Sequence, residues 1–202
     1  IETIMPILDH LALSHDFQIQ ILYDGDLDWF VCTYAEILSK RPQIYLTHPL
    51  EGSGATLKAF LTGNQYSFDS IAFVNNISRV DDMLLSSSQA IWVNLRPEDA
   101  SPSPCFGCTL ITSLFKAESF LRGFLKNVTS LVGYDHLIDH VFLVSTLTVA
   151  EITLLSSHFN SYHNVTILWF RKDPGLYDCW NTGIRIARTD YISNANVDDL
   201  RH

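Results

Sequence analysis

The chain has little positive charge. Thirteen Lys and Arg stand against 22 Asp and Glu in 202 residues, a formal net charge of −9. That balance excludes the broad basic surface on which nucleic-acid binding depends. Acidity says little more, because solvated acidic faces are its usual cause. Long apolar runs are also missing. None approaches the roughly 20 residues of a membrane helix, so no transmembrane segment is predicted. Only four cysteines occur, Cys32, Cys105, Cys108 and Cys179. They give no disulfide framework, and no signal-peptide pattern follows Ile1, so reduced thiols and a cytoplasmic setting are predicted. No sequence repeat links the two halves. No strand is followed by GxGxxG, which argues against a Rossmann oxidoreductase. The start at Ile1 and the abrupt stop at His202 suggest a fragment excised from a longer polypeptide.

What is present reads as an α/β protein. Hydrophobic residues make up 47% of the chain and charged residues 17%, a globular balance. Residues 18–23, 43–47, 70–74 and 90–94 read as strands, with helical spacing over 28–40, 55–61 and 80–85 between them. The run Asp99-Ala-Ser-Pro-Ser-Pro-Cys-Phe-Gly107 then interrupts all periodicity. Beyond it the alternation restarts, with strands at 109–115, 141–144, 165–169 and 191–194. Helices follow at 118–131, 149–159 and 177–187. Apolar strands alternating with helices imply mostly parallel sheets covered by helices. The prediction is two Rossmann-like units, 1–104 and 105–202, with a boundary in 99–107.

Several short patterns carry chemistry in other proteins. Cys105-Phe-Gly-Cys108 is a lone CxxC that enters a strand and has no second ligand pair. Asp24-Gly-Asp-Leu-Asp28 begins like a calcium loop but has Trp29 and Ala35 where Gly and Glu are needed. Glu51-Gly-Ser-Gly54 sits between a strand and a helix, a place where a phosphate nest could form, but a lone GxG is a weak signal. His136 and His140 have i,i+4 spacing, but with Asp135 and Asp139 beside them a solvated turn is predicted. Asn76, Asn127 and Asn164 open glycosylation-type triplets, a pattern frequent by chance. Asp198 and Asp199 are different in position: they follow the last strand directly. Adjacent carboxylates at a strand end can hold Mg²⁺ or Mn²⁺, which favour oxygen ligands and keep positions open for phosphate. On spacing alone, a solvated turn explains them as well.

The surrounding residues add specificity. The segment Asp173-Pro-Gly-Leu-Tyr-Asp-Cys-Trp-Asn-Thr-Gly-Ile184, then Ala187, Tyr191-Ile192 and Asn196-Val-Asp-Asp199, resembles the family-2 glycosyltransferases of the GT-A fold. It is similar to their approach to the DxD-type metal motif. The similarity begins at Thr109 and covers about half the chain. It implies a nucleotide-diphospho-sugar donor bound across the C-terminal ends of the first strands, with an unidentified acceptor. A Mn²⁺ or Mg²⁺ ion would bridge Asp198 and Asp199 to the diphosphate. It places Glu118 near the nucleotide base, and Asn181 and Asp198 among the donor-binding residues.

The chain departs from the family in places. Val144-Ser-Thr-Leu147 has no Asp after the second strand, where the family recognises the base. Asn196 replaces the first acid of the DxD-type motif. Thr189 replaces a common glycine and would be strained at positive φ. The family's acceptor half and catalytic base would lie beyond His202, so no catalytic base is assigned. These departures keep a second reading open, a non-catalytic or degenerate α/β domain with a binding or structural role. The first unit, 1–104, carries no assigned chemistry.

Overall fold

A computed structural model gives the fold. It describes strand backbones at 19–22, 44–47 and 90–94, residues 69–75 and 79, and residues 106–200. The strands are β1 (Ile19–Leu22), β2 (Ile44–Thr47), β3 (Ser70–Val74), β4 (Ala90–Asn94), β5 (Cys108–Leu114), β6 (Ile138–Ser145), β7 (Val165–Phe170) and β8 (Ile192–Asn194). The helices described are α1 (Glu118–Thr129), α2 (Tyr134–Leu137), α3 (Val149–Ser161) and α4 (Leu176–Arg185). The helical spacings at 28–40, 55–61 and 80–85, the calcium-like loop and the Gly52–Gly54 loop lie outside the described residues. So do Cys32 and Cys105.

All eight strands share one sheet, in the order β2-β1-β4-β3-β7-β6-β5-β8. The sequence reading placed a separate sheet on each side of residues 99–107. The strands instead form two internally parallel groups that meet where β3 pairs antiparallel with β7, Ser70 opposite Phe170 and Val74 opposite Thr166. The physical reason lies in β3, which is buried at every position. Left as an edge, such an apolar strand would expose a row of unpaired backbone groups. The boundary segment itself is described only from residue 106 onward.

Alternation along each strand sorts the side chains into two layers. Leu110, Thr112 and Leu114 of β5 share a face with His140, Phe142 and Val144 of β6 and with Val165, Ile167 and Trp169 of β7. Ile71 and Phe73 of β3 continue that face, so among the described residues the apolar core extends from the second strand group onto β3. Leu121, Phe124, Leu125 and Val128 of α1 and Leu155 and Phe159 of α3 close it from above. Each fully buried Phe or Leu stabilises the fold by roughly 1.5–3 kcal/mol. The helical spacing over 118–131 aligns Phe120 with Leu121, Phe124, Leu125 and Val128 on one face, but Phe120 is exposed.

Polar groups inside this layer are satisfied as a chain. The Tyr134 hydroxyl lies 2.7 Å from His140 Nδ1 and 2.7 Å from His158 Nε2, and the Thr112 hydroxyl lies 2.9 Å from His140 Nε2. The His140 ring stacks on Phe142 at 4.0 Å between centroids. Here the expected solvated turn is corrected. His140 is 0% exposed and Asp139 1%, because β6 begins at Ile138 and carries both inward. His136 stays on the surface beside Asp135, so the i,i+4 pair is divided between surface and core. Asn164 is buried and its amide donates to the backbone oxygens of Tyr134 and Ile138, which leaves it no access to a glycan.

On the opposite face Asp139 meets Arg79. The guanidinium Nη2 bonds the carboxylate, and Nη1 donates to the Ile186 oxygen at 2.6 Å. Asn75, just past β3, donates to the oxygens of Phe159 and Tyr162 at the end of α3. These contacts tie the first strand group to the second. Burial pushes the Asp139 carboxyl above its ordinary range, against the pull of Arg79 and Arg188.

Burial holds His140 well below the ordinary histidine range and His158 down to about 4. The folded chain therefore binds fewer protons than the unfolded chain between that value and about pH 6.5. Stability is full above this window and falls as the pH drops through it. His158 alone accounts for about 3 kcal/mol lost by pH 4, and His140 acts in the same direction. Urea unfolding should show a midpoint that declines steadily from about pH 7 to about pH 5. A flat midpoint over that interval would rule out a neutral buried pair.

Candidate functional site

The group β7-β6-β5-β8 holds the geometry of interest. The chain steps from β5 to β6 to β7 in one direction, then returns to place β8 on the far side of β5. In open parallel sheets, the crevice at such a reversal, beyond the carboxyl ends of the strands, is where ligands bind. Here the reversal falls between β5 and β8. Ile192–Asn194 pair with Thr109–Ile111, and the Ala195 amide donates to the Ile111 oxygen at 2.8 Å. Strand β5 runs on to Leu114, about 10 Å further at the usual rise per residue. The chain after β8 thus leaves the sheet beside the second half of β5.

Two small anchors set the direction of that exit. Ala195 is buried in the core and Val197 packs against it. The chain turns after β8, leaving Asn196 partly exposed and Asp198 and Asp199 on the surface. The Asp199 amide donates to the Asn196 oxygen at 3.2 Å, and Asn196 Nδ2 donates to Asp199 Oδ2 at 3.1 Å. Both carboxylates are exposed. Asn196 is thus engaged through its nitrogen, and its side-chain oxygen points to no described partner. Two adjacent carboxylates and an amide oxygen fit the weak, oxygen-only set that Mg²⁺ or Mn²⁺ accepts while keeping water and phosphate as further ligands. Among the described residues no cluster of three or more His, Cys, Asp or Glu side chains could hold a metal on its own.

The other sequence candidates lie on two separate helices. Glu118 opens α1, four residues past the end of β5, and is exposed on the same edge of the sheet. Asn181 is exposed in the middle of α4, and no hydrogen bond among the described residues joins it to Asp198 or Glu118. The helical spacing over 177–187 aligns Trp180, Ile184 and Ala187 on one face and marks Gly183 as a small residue that permits close approach. The buried residues are Cys179, Thr182 and Gly183, followed by Ile186, while Ile184 is half exposed. Small side chains won because the helix lies close to β5. A Cβ on Gly183 would stand 2.6 Å from Ile111 Cγ2.

Thr189 carries no strain. Among the described residues only Lys116 and Thr146 have positive φ without being glycine. The Thr189 hydroxyl instead lies 2.8 Å from that of Thr109 and donates to the Tyr191 oxygen at 2.7 Å, which fastens the start of β8. Cys108 and Cys179 are free, and burial raises both thiols.

The residue that sequence reasoning missed is Glu151. It is 0% exposed. One carboxyl oxygen accepts the Ala117 amide at 2.6 Å, and the other accepts the Thr148 amide at 2.7 Å. Thr148 returns its hydroxyl to the Glu151 amide at 3.2 Å, completing a capping box on α3. The pattern Thr148-Val-Ala-Glu151 was legible as such a box. The link to Ala117 was not. Lys116 (φ +51) directly precedes Ala117, and Thr146 (φ +46) lies two residues before Thr148. Each left-handed residue costs about 1–2 kcal/mol, so both loops need external support.

No protein-family model, curated protein or solved structure matches this chain. The α/β fold, the strand order and the place of the acidic pair are the findings on which a function can be argued. Among the described residues no helix is long and apolar enough to cross a membrane.

The close approach of α4 to β5 is directly testable. Gly183→Ala should lower stability by about 1–3 kcal/mol through overpacking, although Ala is the better helix former by about 1 kcal/mol. Ile111→Ala should cost about 2–5 kcal/mol alone. The double variant should cost less than the sum, because the methyl enters the space that Ile111 vacates. Strict additivity in denaturant unfolding would contradict the contact.

Proposed function

We propose that this chain is the donor-binding part of a glycosyltransferase, holding a nucleotide-diphospho-sugar and Mn²⁺ or Mg²⁺ at the crevice between β5 and β8. One observation supports this above the others. The acidic pair leaves β8 beside the free carboxyl half of β5, where the strand order reverses. Asp198 and Asp199 would hold the ion, with the Asn196 side-chain oxygen as a neutral third donor. The bound ion would offset the negative charge that develops on a departing diphosphate. Glu118 would border the nucleotide end of the crevice. The Lys116 ammonium, 5.0 Å from the centre of the Phe115 ring on the same rim, supplies a positive charge at the edge where phosphates would sit.

A second reading, a non-catalytic binding or structural domain, is favoured by one feature. The turn after β6 offers Thr146, Leu147 and Thr148 with no carboxylate, and Ser145, which ends the strand, is buried. A nucleotide base would find less to recognise there. Metal-dependent donor binding through Asp198 and Asp199 belongs to the first reading alone, so it is the measurement that separates them.

Calorimetry with UDP and Mn²⁺ tests the proposal. Wild type should bind, and Asp199→Ala should lose about one to two decades of affinity. That loss corresponds to one charge-assisted contact of about 1.5–3 kcal/mol. Omitting Mn²⁺ should weaken wild type much more than the variant. Identical affinities for the two proteins would remove the donor-site reading and leave the non-catalytic one.

A further inference from the structure

We propose that Glu151 is a positioning residue for the donor crevice: a buried carboxyl group that fixes the β5–α1 and β6–α3 turns to each other and so sets the shape of the crevice rim. The proposal rests on the donor-site reading above and extends it to a residue that would touch neither ion nor nucleotide.

Three observations carry it. First, Glu151 bonds two amides that are distant in sequence, Ala117 and Thr148, each at the carboxyl edge of a different parallel strand. A capping box needs only the second. The first reaches 34 residues back along the chain. Second, each of these amides sits next to or near a non-glycine residue held at positive φ, Lys116 and Thr146. Such conformations persist only where surrounding contacts over-determine them. The bond to Ala117 fixes the peptide that joins Lys116 to Ala117, and so the direction in which the Lys116 side chain leaves the rim. Third, Ala117 is the residue on which α1 starts. Its oxygen accepts the amides of Phe120 and Leu121, both at 2.9 Å. Fixing Ala117 therefore also fixes Glu118, the first residue of that helix. A single buried side chain thus determines where two exposed rim residues stand.

The test compares two variants with different local effects. Glu151→Gln keeps one oxygen acceptor but turns an NH₂ group toward an amide that needs an acceptor. Thr148→Ala removes the hydroxyl cap of α3 and leaves both Glu151 bonds in place. Both should lower the thermal midpoint by a few degrees. Only Glu151→Gln should also weaken UDP–Mn²⁺ binding, by about tenfold, and speed amide exchange at Ala117. Wild-type affinity in Glu151→Gln would overturn the proposal while leaving the donor site standing. So would an equal loss of affinity in Thr148→Ala, which would make the effect one of stability alone. If wild type binds no UDP, or Asp199→Ala binds as wild type does, the donor-site reading falls and the proposal with it.

Discussion

Two ionisable side chains on consecutive residues of β6, Asp139 and His140, are buried on opposite faces of the sheet. An unpaired buried charge or polar group costs several kcal/mol, so each face had to supply partners. On one face the partner is Arg79, with Thr109 contributing a long contact at 3.4 Å. On the other it is the Tyr134 hydroxyl, shared with His158, and the Thr112 hydroxyl. The consequence reaches past β6. Arg79 also holds the Ile186 oxygen at the end of α4, and Tyr134 brings α2 and α3 into the same polar chain. A buried ion pair is weak evidence of added stability, but breaking one by removing a partner costs about 3–5 kcal/mol. Its effect here is to fix which segments meet.

The antiparallel meeting of β3 and β7 follows the same logic of unsatisfied groups. Each parallel group ends in an apolar strand, and a parallel group has no means of closing on itself with so few strands. Pairing edge to edge removes both exposed rows of backbone groups. It also merges the apolar layers, since Ile71 and Phe73 continue the face formed by Phe142 and Ile167. The cost is a reversal of strand direction across the sheet. The carboxyl ends of β5, β6, β7 and β8 therefore lie on the opposite edge from those of β1 to β4, and the crevice at β5 and β8 is built within the second group.

Much of this was legible in the sequence. All eight strands stood out as short apolar runs, and the acidic pair stood out by its place after the last of them. The family resemblance remains an expectation carried by residues 173–199. The failures share a cause. Asp139 and His140 read as surface because charge and polarity usually mean solvent, yet a strand with partners on both faces can bury them. In α4 the spacing aligned Trp180 with Ile184, but the buried face runs through Cys179, Thr182 and Gly183, and Gly183, legible as a point of close approach, packs against Ile111. The capping box at Thr148 could be recognised locally, but nothing local reports that Glu151 also reaches Ala117. Contacts between distant segments, and the choice of edge at which two strand groups join, are decided by tertiary packing.

The same asymmetry bears on how the crevice is made. The turn after β6 carries no charge, the turn after β5 carries Lys116, and Glu118 opens α1 beside it. What shapes the crevice is backbone, held in two left-handed turns that Lys and Thr adopt only at a cost. Such turns persist only with support from surrounding contacts. Glu151 is placed to supply that support from inside the fold, shielded from solvent and bonded at both oxygens. On the other side of β5, Ala195 and Val197 serve the acidic pair in a comparable way, as apolar anchors that leave Asp198 and Asp199 facing water. The exposed groups are thus few, and each stands on a buried contact that was paid for elsewhere in the core. A substitution at these supports should therefore alter binding without touching any group that a ligand would meet.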